Sequence, residues 1–362
     1  MFKKQPPIQA YITPRALLSG KAATEAVAAK WAWPLGADMA YGAMEVSTFE
    51  NGTYTRLGAI VRAAYDKDAR SIPSHIRASI EAQMAVLGAQ PAFTGFDITK
   101  PVLMGVLNVT PDSFSDCGQH WPHEAAIAHG LAMVEAGAAI IDVGGESTRP
   151  GAKPVSVTEE IARTIPVVST LVARGIKVSI DTRHVGVMTE AISAGAAIVN
   201  DITALKDEKA LEIAARGNVA VILMHMQGTP QTMQNDPRYV WAPGDIAGFL
   251  AERVAACVAA GIPKSRIAID PGLGFGKTDV HNAAIMDHLA MFRGLGCAVA
   301  FGASRKGFIG RMSKGELAQD RLPGSLAAAL HAVAQGAQIL RVHDVPETRQ
   351  ALVVAARFNN GN

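Results

Sequence analysis

The stretch AIIDVGG, residues 139–145, is a short apolar run that holds one aspartate and ends in two glycines. A strand of a parallel sheet is buried on both faces and is a near-continuous run of Val, Ile and Leu, so this stretch predicts such a strand. Seven similar runs, each with a polar residue at or near its end, are VLMGVLN (102–108), KVSIDT (177–182), AAIVNDI (196–202), VAVILMHM (219–226), IAIDPG (267–272), AVAFGASRK (298–306) and ILRVHD (339–344).

The segments between these runs have the periodicity of helices. Residues 123–138 repeat apolar side chains at i, i+3 and i+4 and end near Gly137, which is typical of an amphipathic helix with a glycine stop. Further helices are predicted at 156–175, 245–261 and 322–336. Eight strand–helix units in about 250 residues indicate an α/β fold, a (β/α)8 TIM barrel, whose chemistry lies at the C-terminal ends of its strands. The polar residues expected around that opening are Asn108, Asp142, Asp181, Asn200, His225, Asp270, Lys306 and His343.

Residues 1–95 do not follow this alternation of strands and helices, and they predict a small N-terminal α/β extension. Asn51-Gly52 is a strong hairpin signal, because a type I′ turn needs two residues with positive φ. Residues 74–88 have the apolar periodicity of an amphipathic helix. The sequence thus predicts an appendage, to which it assigns no role, and a catalytic barrel over 96–362.

Composition excludes several classes of protein. Of the 362 residues, 49% are hydrophobic and 18% charged, which is typical of a globular protein with a large core. A net charge of +2 gives no general attraction to nucleic acid or to a membrane surface. No apolar run reaches the roughly 18 residues of a membrane span, and MFKKQPPIQAYITPR at the start lacks the apolar segment of a signal peptide. The three cysteines lack zinc-ligand spacing and are an odd count, so a reducing, cytoplasmic location is expected.

Four polar residues at predicted strand ends match the edge of a flat, amide-rich heterocycle. They are Asp181, Asn200, Asp270 and Lys306. A guanidine-like N–C–N edge presents paired donors to a carboxylate, and each charge-assisted hydrogen bond contributes about 1.5–3 kcal/mol. A single carboxylate at such a position fits equally well as a structural cap that binds loop amides. The convergence of four such groups favours a binding site.

A second set of residues predicts an anion pocket with a cation. Arg341 and His343 alternate along the last predicted strand, so both are expected on one face, beside Asn108 and the loop residue Arg149. Arginine binds phosphate oxygens through two hydrogen bonds. An asparagine oxygen suits Mg²⁺, which takes few protein ligands and shares the rest with phosphate and water. A lone histidine at a strand end is more often structural. Together with Arg341 and Asn108, however, His343 indicates a diphosphate site.

Two loops and two missing motifs narrow the chemistry. The loops 108–122 and 144–156 are rich in Gly, Pro, Ser and Thr and follow barrel strands, so they are expected to be functional lids. GFGK at 274–277 lacks the rest of a phosphate-binding P-loop. No Gly-x-Ser-x-Gly pattern is present, so hydrolysis by a serine nucleophile has no support.

Eight motifs in order identify a family. LNVTPDSFSD, IDVGGESTRPG, SIDT, VND, MHMQGTP, DPGLGFGK, SRK and RVHDV together resemble the dihydropteroate synthases, over roughly Phe96 to Phe358. The resemblance implies a pterin-binding (β/α)8 barrel of folate biosynthesis that is usually a homodimer. It implies the joining of 6-hydroxymethyl-7,8-dihydropterin diphosphate to p-aminobenzoate, with release of diphosphate. The implied partners are these two small molecules, and Mg²⁺ is the implied cofactor.

The resemblance also assigns roles to individual residues. It implies that Asn108 is the magnesium ligand, and that the pterin contacts are Asp181, Asn200, Asp270 and Lys306, with Met224 and Met226 lining the slot. It implies substrate and diphosphate contacts by Thr148, Arg341 and His343, with Arg149 close by, and p-aminobenzoate contacts by Phe114, Ser115, Thr148, Pro150, Phe275 and Ser304. The residues expected to be catalytic are Asp116, Lys306, Arg341 and His343, with Asp116 placed to stabilise positive charge on the pterin methylene.

One departure from the family pattern keeps alternatives open. The family's loop commonly has Ser-Asp-Gly-Gly, whereas this chain has Ser115-Asp116-Cys117-Gly118. If the first glycine needs a left-handed backbone, Cys117 costs about 1–2 kcal/mol there. A pterin-binding paralogue without activity is therefore one alternative. The other is a methyltransferase that moves a methyl group from a folate to a corrinoid, although that reaction needs no diphosphate site.

Overall fold

The computed structural model describes residues 10–89, 91–110, 123–147, 151–152 and 154–360. The N-terminal unit is an antiparallel sheet with three helices. Its elements are β1 (Ala10–Ser19), α1 (Gly20–Ala28), β2 (Trp33–Pro34), β3 (Met39–Glu50), β4 (Thr53–Val61), α2 (Arg62–Asp68) and α3 (Ser74–Gly88). Strand β3 is central, because β1 pairs with one of its edges and β2 and β4 pair with the other.

Local sequence explains two features of this unit. The β3–β4 turn has Asn51 at φ 51° and Gly52 at φ 80°, the two positive φ angles of a type I′ hairpin, so that prediction is confirmed. Helix α3 covers the sheet with Ile76, Ile80 and Leu87, as its periodicity predicts. The unit therefore has a hydrophobic core of its own.

Eight parallel strands form a closed barrel after this unit. They are β5 (Val102–Asn108), β6 (Ile140–Gly144), β7 (Val178–Asp181), β8 (Ile198–Asp201), β9 (Ala220–Met224), β10 (Ile267–Asp270), β11 (Ala298–Phe301) and β12 (Ile339–Val342). Sequential neighbours pair around the ring, and β12 pairs with β5 to close it. Each strand lies within a predicted run, and all residues of β6, β8, β9, β10 and β11 are buried. The predicted (β/α)8 barrel is confirmed.

Helices alternate with the strands around the outside. They are α4 (His123–Glu135), α5 (Val157–Ala173), α6 (Val185–Ser193), α7 (Glu208–Arg216), α8 (Ala242–Ala259), α9 (Asp279–Asp287), α10 (Gly307–Arg311), α11 (Leu322–Ala334) and α12 (Val345–Asn360). The four predicted helices are confirmed, although α8 begins three residues before its predicted start. The reason is Pro243, which suits the first turn of a helix because its missing N–H would have no partner there.

Two expectations about strand ends need correction. Strand β12 stops at Val342, so His343 is the first residue after the strand and does not alternate with Arg341 along it. Asp142 lies inside β6 with no exposed surface, so it belongs to the barrel interior below the opening. Both differences arise because the polar end of a sequence run does not fix where strand hydrogen bonding stops.

The chain between the two parts packs into the barrel. Phe93 and Ile98 share a buried cluster with Met104, Ile140 and Ile339 of the barrel strands. Phe93 precedes the predicted boundary between 95 and 96, yet its side chain lies with the barrel.

The N-terminal unit is anchored to the barrel by an ion pair and by aromatic packing. Arg15 donates two hydrogen bonds, both 2.8 Å long, to the carboxylate of Asp287 at the end of α9. Tyr11 and Tyr54 join the hydrophobic cluster of the barrel, where the Tyr54 and Trp241 ring centroids lie 5.1 Å apart. In the parts of the chain that the structure describes, no helix is long and apolar enough to cross a membrane.

Candidate active site

Most of the predicted site residues that the structure describes lie at one end of the barrel. Asn108, Asp181 and Asp270 are the last residues of β5, β7 and β10. Asn200 is the penultimate residue of β8, and Lys306 directly precedes α10. Because all eight strands run in the same direction, their C-terminal ends gather these side chains at one opening.

Arg341 is the centre of a buried polar network. Its Nε donates to Asp142 Oδ2 over 2.6 Å, and its Nη2 donates to Asp181 Oδ2 over 2.7 Å. The Asn200 amide also donates to Asp142 Oδ2, at 3.1 Å. The guanidinium thus connects β12 to β6 and β7. We name the site formed by Asp181, Asn200, Asp270, Lys306 and Arg341 the polar slot. The contact of Arg341 with diphosphate stays a prediction.

Burial shifts the pKa values of this network. Burial raises the pKa of Asp181 to about 7, against the opposing attraction of Arg341, and the nearby Asp142 carboxylate raises it further. The pKa of Arg341 is also raised, because its attraction to Asp142 and Asp181 outweighs the effect of burial. A carboxyl group that titrates near neutral pH therefore lies against a guanidinium that stays charged.

Asp270 and Lys306 form a second pair of opposite charges. The Asp270 carboxylate accepts a 2.7 Å hydrogen bond from the backbone N–H of Gly272. Burial raises the pKa of Asp270, and the positive charge of Lys306 opposes that rise. Burial likewise lowers the pKa of Lys306 to about 8, opposed by Asp270. A Cβ placed at Gly302 would lie 3.6 Å from Arg341 Cβ and 3.9 Å from Asp270 Oδ2, so the two networks meet across this glycine.

An apolar wall borders the polar slot. Met224, Met226, Met233 and Ile202 form a cluster against which Phe275 packs. Lys306 connects the wall to the slot, because its Nζ lies 4.6 Å from the centroid of the Phe275 ring and donates to the Leu273 carbonyl over 2.7 Å. The arrangement suits a flat ring whose edge is polar and whose faces are apolar.

Ser304 and His343 lie together on the β11 and β12 side of the opening. The His343 backbone N–H donates to Ser304 Oγ over 3.1 Å, and His343 Nδ1 lies 3.0 Å from the same oxygen. The serine therefore orients the imidazole ring.

Asn108 lies next to Asp181 across a glycine. A Cβ built on Gly144 would lie 3.8 Å from Asn108 Oδ1 and 3.7 Å from Asp181 Oδ2. The glycine thus leaves room for both oxygens at the rim. Within the described ranges, no group of three or more His, Cys, Asp or Glu side chains has the geometry of a metal site.

Two residues of the site have no predicted role. Asp142 binds Arg341 and Asn200. The feature of the sequence that could have indicated this role is an aspartate inside an otherwise apolar run. Lys277 is 1% exposed, lies 3.0 Å from His225 Nδ1 through its Nζ, and donates to the Phe275 carbonyl over 2.9 Å. Burial lowers the pKa values of both Lys277 and His225. No sequence signal joins these two residues, which are 52 positions apart.

Several predicted residues lie outside the described part of the chain. They are Phe114, Ser115, Asp116, Cys117, Thr148, Arg149 and Pro150. Their roles, and the lid function expected for their loops, remain predictions.

Comparisons with known proteins agree with the fold and the motifs. The pterin binding enzyme family matches residues 104–343. The dihydropteroate synthase of Escherichia coli strain K12 is 47% identical over 263 residues, which cover 72% of this chain and 93% of that protein. The structure of Xanthomonas albilineans dihydropteroate synthase with 4-aminobenzoic acid is similar, with a TM-score of 0.69 at 46% identity over 73% of this chain and 94% of that one. The structure of the X. albilineans enzyme with 7,8-dihydropteroate has a TM-score of 0.67 at 43% identity, over 73% and 95% of the two chains.

Proposed function

This chain belongs to the dihydropteroate synthases, a family of pterin-binding transferases of folate biosynthesis, and we propose that it joins 6-hydroxymethyl-7,8-dihydropterin diphosphate to p-aminobenzoate. The products are 7,8-dihydropteroate and diphosphate. The observation that carries the proposal is the polar slot around Arg341 and Lys306, which lies beside an apolar wall at the opening of the barrel. Similar proteins bind 4-aminobenzoic acid and 7,8-dihydropteroate.

We propose that the pterin ring binds in the polar slot. The Asp270 carboxylate accepts hydrogen bonds from the paired N–H groups at the guanidine-like edge of the pterin, and Lys306 and Asn200 donate to its ring acceptors. Asp181 completes the slot, and Met224 packs against the ring face. The nearly complete burial of Asp270 and Asn200 supports this assignment, because charged and amide groups withdrawn from water favour a ligand that satisfies them.

p-Aminobenzoate is proposed to bind beside Phe275 and Ser304. Phe275 borders the slot and Ser304 lies at its rim, so an aromatic amine between them would face the pterin methylene. Phe114, Ser115, Thr148 and Pro150 are proposed to complete the pocket.

The proposed reaction is a displacement in which the leaving group departs early. The C–O bond to diphosphate breaks and its electron pair leaves with the diphosphate, so the methylene carbon becomes cationic in conjugation with the ring. The amine nitrogen then forms the C–N bond and loses a proton to water or to diphosphate. Arg341, His343 and Arg149 are proposed to offset the negative charge on the leaving group, and Asp116 the positive charge on the methylene. Lys306 holds the ring throughout.

Asn108 is proposed as the protein ligand of Mg²⁺. The donor set fits, because Mg²⁺ prefers oxygen, keeps several waters and commonly takes one or two protein groups together with phosphate. The half-buried Asn108 oxygen near Asp181 is such a group. An ion bound there would supply positive charge to the diphosphate.

A homodimer and a cytoplasmic location are proposed as well. Helix α12, which packs beside α11, exposes 45% of Val354 and 81% of Phe358, which lie one turn apart on the same face. Exposed apolar side chains that adjoin one another favour a protein contact. The free, buried thiols of Cys257 and Cys297 fit a reducing compartment.

The first test is turnover by the purified full chain with Mg²⁺ and both substrates. We expect 7,8-dihydropteroate and diphosphate in equal amounts. Pterin binding without product would indicate a non-catalytic pterin-binding protein. Methyl transfer from a methylated folate to a corrinoid would indicate the methyltransferase.

A second test concerns the slot itself. Asp270→Asn replaces an acceptor by a group that also donates, so a donor then faces the donors of the pterin. We expect the affinity for the pterin substrate to fall about tenfold to a hundredfold, as calorimetry would measure. Asp279→Asn is the matched control, because Asp279 is paired with Arg311 on the outside of the barrel. Unchanged affinity in Asp270→Asn would contradict the proposed pocket.

A further inference from the structure

The N-terminal unit meets the barrel at the first turn of α8. Tyr11 and Tyr54 both contact the Trp241 ring, with centroid distances of 6.2 and 5.1 Å. A Cβ placed on Gly244 would come within 2.5 Å of the rings of both Tyr54 and Trp241. The first turn of α8 therefore accommodates the Tyr54 ring only because residue 244 has no side chain.

A carboxylate joins this contact to the chain that leads into α8. The Tyr54 hydroxyl donates to Asp245 Oδ1 over 3.0 Å. The other oxygen of Asp245 accepts hydrogen bonds from the backbone N–H groups of Val240 and Trp241, at 2.8 and 3.3 Å. We name residues 225–241, which join β9 to α8, the β9–α8 connection. The N-terminal unit thus holds the C-terminal end of this connection.

The β9–α8 connection in turn holds the loop that carries Phe275. The Tyr239 hydroxyl donates to the Gly276 carbonyl over 2.7 Å, and the Gln234 amide donates to the Gly274 carbonyl over 2.7 Å. A Cβ on Gly276 would lie 2.5 Å from the Gln227 carbonyl oxygen, so the two backbones are in close contact. Two hydrogen bonds and this contact fix both flanks of Phe275.

We propose that the N-terminal unit is a positioning element for the arylamine pocket: through Tyr54 and Asp245 it fixes the β9–α8 connection, and so the loop of Phe275. This inference rests on the proposed function, because it assigns p-aminobenzoate to Phe275. The charged network of Arg341, Asp142 and Asp181 in the pterin slot lies on β12, β6 and β7, and none of these three residues takes part in the contacts between Tyr54 and the Phe275 loop. We therefore expect the unit to act more on the arylamine pocket than on the pterin slot.

The test is steady-state kinetics of the full chain with Tyr54→Phe and Gly244→Ala. Tyr54→Phe removes one hydrogen bond, and the methyl group of Gly244→Ala displaces the Tyr54 ring. In both variants we expect a KM for p-aminobenzoate raised about threefold to tenfold, with kcat and the KM for the pterin substrate changed less than twofold. Tyr65→Phe is the matched control. Tyr65 lies in the core of the same unit, and its hydroxyl has no hydrogen-bond partner among the described residues.

Hydrogen–deuterium exchange gives a readout that does not depend on turnover. We expect faster exchange of the backbone amides of residues 274–277 in Tyr54→Phe, and wild-type exchange there in Tyr65→Phe. Equal rises in both KM values, or wild-type kinetics together with wild-type exchange in Tyr54→Phe, would overturn the proposal. An inactive wild-type chain would instead contradict the proposed function, and the exchange comparison would still decide the coupling.

Discussion

At the scale of single residues, each buried charge of the slot lies near an opposite one, and the single guanidinium of Arg341 serves two carboxylates. Arg341 lies between Asp142 and Asp181, and Lys306 lies near Asp270. Taking such charges out of water costs more than packing apolar side chains of the same volume. Their presence at the opening is therefore best explained by the ligand that they bind.

Arg341→Met tests this balance through stability. The change keeps most of the side-chain volume but leaves Asp142 and Asp181 without their cation, which should lower the free energy of unfolding by about 3 kcal/mol at pH 8. Loss of the cation raises the pKa of Asp181 above its present value of about 7. A carboxyl group whose pKa is higher in the folded state destabilises that state when it is ionised, so the penalty grows as pH rises and falls as pH drops.

The measurement is urea unfolding of Arg341→Met at pH 8 and at pH 5.5. We expect a clearly smaller loss of stability at pH 5.5. Arg311→Met is the control, because its pair with Asp279 is largely exposed and should contribute less than about 1 kcal/mol. A loss in Arg341→Met that does not change with pH would argue against an ionised Asp181 as the cause.

The sequence predicted the polar residues of the site better than their partners. Asp181, Asp270 and Asn108 could be predicted because each ends a buried run. The pair of Arg341 with Asp142 spans 199 positions and exists only because β12 closes the ring against β5, which in turn pairs with β6. Local periodicity carries no information about such a closure.

At the scale of elements, the loop after β10 depends on its glycines. Gly272, Gly274 and Gly276 have φ angles of 68°, 81° and 63°, a region that L side chains rarely adopt. A Cβ on Gly272 would lie 2.0 Å from the His225 carbonyl oxygen. The sequence excluded a P-loop at this GFGK segment, but it did not indicate that the glycines serve a close approach of two backbones.

Gly272→Ala should therefore lower the free energy of unfolding by more than backbone strain alone would. The left-handed conformation costs an alanine about 1–2 kcal/mol, and the clash with His225 must in addition displace the backbone that donates to Asp270. We expect a loss of more than about 3 kcal/mol in unfolding free energy, together with weaker pterin binding in calorimetry.

Gly315→Ala is the control for strain alone. Gly315 has a φ of 81°, and a Cβ built there meets no atom within 4 Å. Gly315→Ala should lower the free energy of unfolding by about 1–2 kcal/mol and leave the affinity for the pterin substrate unchanged. Equal effects of the two substitutions would show that close packing of the β10 loop is unimportant.

At the scale of the whole molecule, the chain is a barrel with an N-terminal unit packed on its side. The sequence indicated two parts but not their contact, because Arg15 and Asp287 are 272 positions apart and neither belongs to a recognisable motif. Tyr54 illustrates the same limit. Its position in a hairpin could be predicted, whereas its partner Asp245 depends on how two separately folded surfaces fit together.

The proposed homodimer gives a prediction at this scale. Phe358 is 81% exposed on α12 and Val354, one turn earlier, is 45% exposed, so both would be covered in a dimer that uses this helix. The wild-type chain is then expected at about twice 37.9 kDa in light scattering coupled to size-exclusion chromatography. Phe358→Glu places a charge in that interface and should yield the monomer, because an unpaired charge is costly to bury.

Val280→Glu is the control, since Val280 is 77% exposed on α9, a different helix. A Phe358→Glu variant that keeps the wild-type dimer mass would exclude α12 as the interface, and a monomeric wild type would exclude the homodimer itself.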